Sequence, residues 1–255
     1  MIIAGGIYGA HLPHWQVRQV DVVGATALNT QKISASALDA LQGSYAFIIP
    51  KRMILAADTA AVSRTLRAAF PLIRSLSIEK KFPDALAVYL EERTLFGVLC
   101  TGASSDSPGS AATSTALIPA SPSSCAYVDH DGVAYAAAPA TEGSLILKIE
   151  TDAPDIPLGA VALDQNTIQQ IIYLADHLRP ATGLAPSEFI ISTAVTSEIH
   201  IRVGDGFLLL LKKNDDLAAV LKVVRRVLDG KIGAARRSLD YIDARFNNKV
   251  FYKMK

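Results

Sequence analysis

Along this chain the apolar positions recur alternately at strand and at helix periods, and that alternation predicts two series of elements. Residues 15–24, WQVRQVDVVG, place Val17, Val20 and Val22 in a β-rich run that stops at a glycine, as a strand stops at a turn. Residues 33–41 read as a short helix, followed by a loop around GSYAFIIPKR. Asp58 is a suitable N-cap for TAAVSRTLRAAF, whose Val62, Leu66, Ala69 and Phe70 share one face, and Pro71 ends that helix. IRSLSIEKKFP and ALAVYLEER are two strands joined at Pro83-Asp84, the second alternating Leu86, Val88 and Leu90 against Ala87, Tyr89 and Glu91. The order β-α-α-β-β makes an α+β unit of ordinary domain size.

A second series follows. CAYVDHDGVAYAAAP is a hairpin turning at Asp131-Gly132, and SLILKIE is a further strand. LDQNTIQQIIYLADHL has an Asp164 cap and Ile168, Ile171, Ile172, Ala175 and Leu178 at helical spacing. EFIISTAV, EIHIRV and GFLLLLKK are successive strands; NDDLAAVLKVVRRVL is a capped amphipathic helix ending at Gly230. SLDYIDAR and KVFYKM close the series as β-prone runs. The predicted second domain is a mixed sheet with two helices and a C-terminal edge strand.

Composition marks a boundary between the two series. Twenty of the twenty-three residues 101–123 are Ser, Thr, Ala, Gly or Pro, too little large apolar surface to offset the entropy of ordering them. This reads as a flexible linker, with the first domain ending at residue 100 and the second starting at 124. The formal charge of +1 hides a gradient, because residues 212–255 carry twelve Lys/Arg against five Asp/Glu. Such a block suits nucleic acid, an anionic surface or an acidic partner, although its interleaving with apolar residues makes most of it the solvated faces of folded elements. No helix-turn-helix, RNA-binding or zinc signature accompanies it, so nucleic acid is not an expected partner. Cys100 and Cys125 are too few and too far apart in sequence for a disulfide framework or a CxxC zinc site, and leave the redox compartment open.

Residues 1–12 are apolar and uncharged, but a bilayer span needs about 20 such residues. They lack the basic region and cleavage pattern of a secretory signal. Two readings fit them: an ordinary buried or frayed start, or the last half of a membrane helix.

Motifs for chemistry are weak. SIEK (Ser77 to Lys80) matches S-x-x-K, but that motif needs a helix to bring both side chains to one face, and this segment is strand-like. DHDG (Asp129 to Gly132) begins like a calcium loop without the later acidic ligands, and His11 with His14 lacks a third ligand. No cofactor or metal is expected, and a periplasmic enzyme with an unrecognised site stays only as an alternative, beside a different interaction or chaperone module.

Taken together, WQVRQVDVVG, the helix pair and FPDALAVYLEER resemble the POTRA domain of the FtsQ/DivIB family of bacterial cell-division proteins. YVDHDGVAY, the Asp164 helix, VGDGFLLLLKKNDDLAAVLKVV and LDYIDARFNNKVFY are similar to that family's β domain. Glu92-Arg93 and the terminal IDARFNNKVFY carry the resemblance most specifically. The resemblance implies a remnant of a transmembrane helix at 1–14 with Met1 an internal start, a POTRA domain at 15–100, a linker at 101–123 longer than the family leads one to expect, and a β domain at 124–255. It implies a single-pass, non-catalytic divisome scaffold in the cytoplasmic membrane, with its folded domains on the outer side. There the POTRA domain helps localise it among other divisome membrane proteins, and the C-terminal strands hold FtsB- and FtsL-like partners. The family's partner-binding positions fall here on Arg245, Phe246, Asn248 and Lys249, with Phe251 beside them in the terminal strand. Arg245 would offer its fork to a partner carboxylate and Phe246 an apolar anchor.

Overall fold

The computed structural model describes residues 13–46, 48–101, 124–139, 146–246 and 249–255. The chain divides into two compact units, Met1–Thr94 and Leu95–Lys255.

In the first unit the elements are β1 (Gln19–Val23), α1 (Thr30–Asp39), β2 (Ser44–Tyr45), β3 (Ile49–Pro50), α2 (Thr59–Ala69), β4 (Ile73–Lys81) and β5 (Ala85–Glu92). Its sheet has the order β1-β5-β4, with β5 parallel to β1 and antiparallel to β4. A parallel pair needs a long crossover, and α1 and α2 supply it, packing Ile33, Ala37, Val62 and Leu66 against Leu86 and Val88. Both helices start at a side-chain cap: Asp58 is the predicted one, while Asn29 starts the first helix at Thr30, three residues before the predicted 33. The Asn29 side chain accepts from Lys32 N, and Asp58 accepts from Ala60 and Ala61 N, each worth about 1 kcal/mol. The loop around residues 43–52 contains the short antiparallel β2–β3 pair.

Glu92, at the end of β5, ties the β1–α1 connection to the sheet. Its carboxylate accepts from the Thr26 N–H and hydroxyl at 2.9 and 2.6 Å, and from the N–H groups of Ala27 and Leu28 at 2.9 Å. The turn that brings these donors round passes through Gly24 at φ +96, where a Cβ would lie 2.0 Å from the Leu90 carbonyl oxygen, so only glycine fits. Partial burial alone would raise the Glu92 pKa, but the Thr26 hydroxyl and the three backbone donors outweigh it and hold it at about 2. Arg93 follows, its Nε donating to the Pro71 carbonyl. The Glu92-Arg93 pair that carries the family resemblance thus clamps two connections of the unit.

The second unit contains β6 (Gly97–Thr101), β7 (Cys125–Val128), β8 (Ala134–Ala138), β9 (Leu147–Thr151), α3 (Gln165–Thr182), β10 (Pro186–Ile191), β11 (Glu198–Val203), β12 (Leu208–Lys212), α4 (Leu217–Val227), β13 (Leu239–Phe246) and β14 (Lys249–Met254). They form one nine-stranded sheet in the order β14-β13-β12-β11-β10-β9-β6-β7-β8. Ile149, Phe189, Ile201, Leu209 and Ile242 point from it into a core with Ile168, Ile171, Leu174, Leu221 and Val224 of α3 and α4. The β7–β8 turn is the predicted one: Asp129 Oδ1 accepts from Asp131 and Val133 N, and Gly132 has φ +77.

One expectation is corrected. Residues 95–101 do not close the first domain: β6 pairs with β7 and β9, so the units divide at Thr94 and residues 102–123 fall between two paired strands of one sheet. The state of the two cysteines, which the sequence left open, is a disulfide: Cys100 and Cys125 face each other across the β6–β7 pair, so strand pairing joins residues that lie 25 positions apart. Among the described residues no helix is long and apolar enough to cross a membrane; the apolar start, residues 1–12, lies outside them.

Two predictions follow from these clamps. A carboxylate with a depressed folded pKa stabilises fully above its ordinary value of 4.5 and ceases to do so as pH falls toward about 2. Glu92→Gln is therefore expected to cost about 2 kcal/mol at neutral pH, allowing for solvent screening, and to flatten the acid limb between roughly pH 5 and 2 in urea titrations. The disulfide spans 25 positions, so its reduction, or Cys100→Ser with Cys125→Ser, should lower stability by about 3 kcal/mol in the same assay.

Candidate partner-binding edge

Alternation along β13 decides what the terminal hairpin presents. Leu239, Ile242 and Ala244 enter the core, so Asp243 and Arg245 project from the opposite face of the sheet. There the Arg245 guanidinium is fully engaged. Nε and Nη2 donate to the two Asp243 oxygens at 2.8 and 2.6 Å, and Nη1 donates to both Glu198 oxygens at 2.8 and 2.7 Å. His200 Nε2 lies 2.9 Å from the same Glu198. Burial works to raise the pKa of Glu198 and Asp243, but hydrogen bonds from His200 and Arg245 to the first, and from Arg245 to the second, keep both below the usual carboxylate range. The Asp243 hydrogen bond leads in pushing Arg245 upward.

In the chain by itself, the fork expected to meet a partner carboxylate holds two carboxylates of its own chain and braces β13 against β11. The D-x-R spacing, two residues apart in a strand, signals that Asp243 and Arg245 share a face. Glu198 lies 47 positions away in sequence and could not be assigned before the sheet order was known.

The same face carries further opposed charges: Lys148 Nζ bonds Glu150 and Glu188, and Arg202 Nε bonds Glu188. From β9 to β13 this face thus carries a ladder of ion pairs, while from β6 to β8 it carries the apolar cluster of Val98, Cys100 and Cys125.

Phe246 is different. It is 53% exposed, stands edge-on to Phe251 with ring centroids 5.5 Å apart, and has the Arg245 guanidinium 5.9 Å above its ring. Phe251 is 52% exposed and sits opposite Asp243; Lys249, also exposed, sits opposite Phe246 beyond a bulge in the pairing. Asn248 lies outside the described residues. With Ala244 and Val250, Phe246 lines a cleft of about 310 Å³ against Val220 and Val223 of α4, rimmed by Asp215, Asp216 and Lys249. Sequence reading missed this cleft, although the exposed apolar positions of the α4 helix were its signal. β14 pairs on one side with β13 and ends the sheet order on the other.

The candidates for chemistry assemble nothing comparable. Ser77 and Lys80 lie on β4, where the Lys80 ammonium donates to the Leu55 carbonyl. His14 packs edge-on to Trp15, His11 lies outside the described residues, and no group of three or more His, Cys, Asp or Glu among the described residues could hold a metal ion.

Against this geometry, residues 16–93 match the family model described as POTRA domain, FtsQ-type. The first unit is an FtsQ-type POTRA domain. The match covers about a third of the chain and supports the resemblance to the FtsQ/DivIB family of divisome-associated cell-division scaffolds, which are generally non-enzymatic. No curated protein matches the chain.

The brace gives a prediction. Arg245→Met leaves Asp243 and Glu198, with side chains 9% and 20% exposed, facing each other without a cation. Stability should fall by about 2 kcal/mol in thermal or urea unfolding, while Arg245→Lys, which cannot reach both carboxylates with a planar fork, should recover only part of the loss.

Proposed function

We propose that this chain is a non-catalytic divisome scaffold that receives FtsB- and FtsL-like partners on the free edge of β14, outside the cytoplasmic membrane. The observation that carries the reading is that edge: among the described residues β14 pairs only with β13, and beside it lie exposed Phe246 and Phe251 and an apolar cleft. An extended segment added there gains its affinity mainly from the main-chain ladder, and its specificity from side chains seated in neighbouring pockets. Phe246, Phe251 and Lys249 are the contacts we assign, with Asn248 beside them by resemblance. The brace at Arg245 keeps the end of β13 in place so that the edge is preformed. Lys249, Lys253 and Lys255 make the strand basic, which favours an acidic partner segment.

The membrane placement joins two supports. Residues 1–12 have the composition of the outer half of an anchoring helix, and the Cys100–Cys125 disulfide suits an oxidising compartment. In this reading the POTRA domain contributes contacts to other divisome membrane proteins.

The test is a titration against the FtsB-like protein of the same genome, with circular dichroism to confirm folding. Phe246→Glu should weaken the complex by more than about 2 kcal/mol, roughly thirtyfold, and removal of residues 247–255 should abolish it. Unchanged affinity in both folded variants would sink the proposal.

A further inference from the structure

The POTRA domain has an exposed surface that the partner edge does not use. Three segments meet where the chain enters the domain. Ile54 N donates to the Trp15 carbonyl at 2.8 Å and Val17 N to the Arg52 carbonyl at 2.7 Å, and Gln16 bridges to Met53. Arg18 N donates to the Asp84 carbonyl at 2.8 Å, and Lys80 Nζ donates to the Leu55 carbonyl at 3.1 Å. Each segment leaves one large apolar side chain in solvent at this end: Trp15 is 39% exposed, Leu55 61% and Phe82 60%. Singly such residues are unremarkable, but here they lie on segments tied together by backbone bonds.

The charge around them is mostly basic. Residues 14–18, 51–55 and 80–84 contain five Lys or Arg (Arg18, Lys51, Arg52, Lys80 and Lys81) and one acidic residue, Asp84, while the adjoining Glu79 pairs with Lys81 at 3.1 Å. Lys51 also stands over the Tyr45 ring of the small β2–β3 pair, 5.6 Å from its centroid. The twelve residues that lead into Pro13 contain no Asp, Glu, Lys or Arg.

We propose that this entry end of the POTRA domain docks flat on an anionic lipid bilayer, with Trp15, Leu55 and Phe82 in the interfacial layer and Arg18, Lys51, Lys80 and Lys81 over the headgroups. Aromatic and aliphatic tips bracketed by lysine and arginine match the polarity profile of a membrane interface, where an indole or phenyl ring sits at headgroup depth and a cation remains hydrated above it. A basic surplus fits negatively charged lipid, since each Lys or Arg near such a surface contributes about fivefold in binding. The uncharged segment leading into this end selects a bilayer as the occupant over a soluble protein. The inference rests on the membrane placement in the reading above and not on the partner strand.

Trp15 is the single tryptophan of the chain and reports on its own environment. The intact chain is mixed with vesicles of phosphatidylglycerol and phosphatidylethanolamine, or of phosphatidylcholine, and followed by co-sedimentation and Trp15 emission. Anionic vesicles should bind and shift the emission to the blue, high salt should weaken binding, and neutral vesicles should bind far less. Leu55→Asp with Phe82→Asp, and separately Arg18→Glu with Lys51→Glu, should each raise the apparent Kd for anionic vesicles by about tenfold or more. Equal binding to neutral vesicles, or parental binding by either folded double variant, would overturn the proposal and leave residues 1–12 as the sole attachment. Phe246→Glu should bind vesicles like the parent, and the two double variants should keep the FtsB-like partner, so failure at one surface is separable from failure at the other.

Discussion

Each strand inside a sheet satisfies its backbone N–H and C=O groups on two neighbours, whereas an outermost strand satisfies only one row of them. In the second unit this constraint falls on β8 and β14: residues 159–160 exchange hydrogen bonds with Ala134 at the start of β8, whereas among the described residues β14 pairs only with β13, which β12 holds through a parallel ladder that runs into the core at Ile242. Much of what surrounds β14 follows from keeping that edge in one register. Period two sets Asp243 and Arg245 on the face away from the helices, and the Arg245 fork locks β13 to β11 through Glu198. The ion-pair ladder lines that face from β9 to β13, while Phe246 and Val250 turn toward α4 and form the cleft. Paired charges on one face and an apolar cleft beside the edge are the two surfaces that the proposed partner strand would meet.

The Cys100–Cys125 disulfide bears on the same sheet from its other half. β6 lies between β9 and β7, and the chain departs from the end of β6 and returns at the start of β7. The disulfide at this pair ties the end of β6 to the start of β7 directly, so the pairing of the two strands is fixed on both sides of residues 102–123. Thr101 reinforces the junction, its hydroxyl lying 2.9 Å from that of Ser124.

Local signals made most of the fold legible. The caps at Asp58 and Asp164, the Asp131-Gly132 turn and the period-two runs of β5, β11 and β13 are written in neighbouring residues, and the structure places elements there. The errors concern sequence-distant pairing. GVLCT is a short apolar run with no polar alternation, because as β6 it is buried on both faces, and nothing local announces it as a strand of the second sheet. Reading residues 101–123 by composition then set the domain boundary too late. The same limit governs the site: Phe246 was legible as an aromatic in a terminal strand, whereas the occupation of Arg245 depends on Glu198, 47 positions earlier in the chain and two strands away in the sheet.

The contrast between the two units also has a physical basis. The POTRA domain depends on particular side chains at particular places: Glu92 must accept four donors, and Gly24 must admit the Leu90 carbonyl. Substitution at either is costly, and both lie within residues 16–93, which the family model matches. A β edge makes weaker demands. Its recognition groups are main-chain N–H and C=O, which every residue except proline supplies, and its side chains need only keep alternation, register and one or two apolar contacts. Such a surface can keep its mode of binding while most of its residues change. On that argument the hairpin of β13 and β14 is the part of the molecule whose role sequence comparison is least suited to detect, and the part where the order of the strands is most informative.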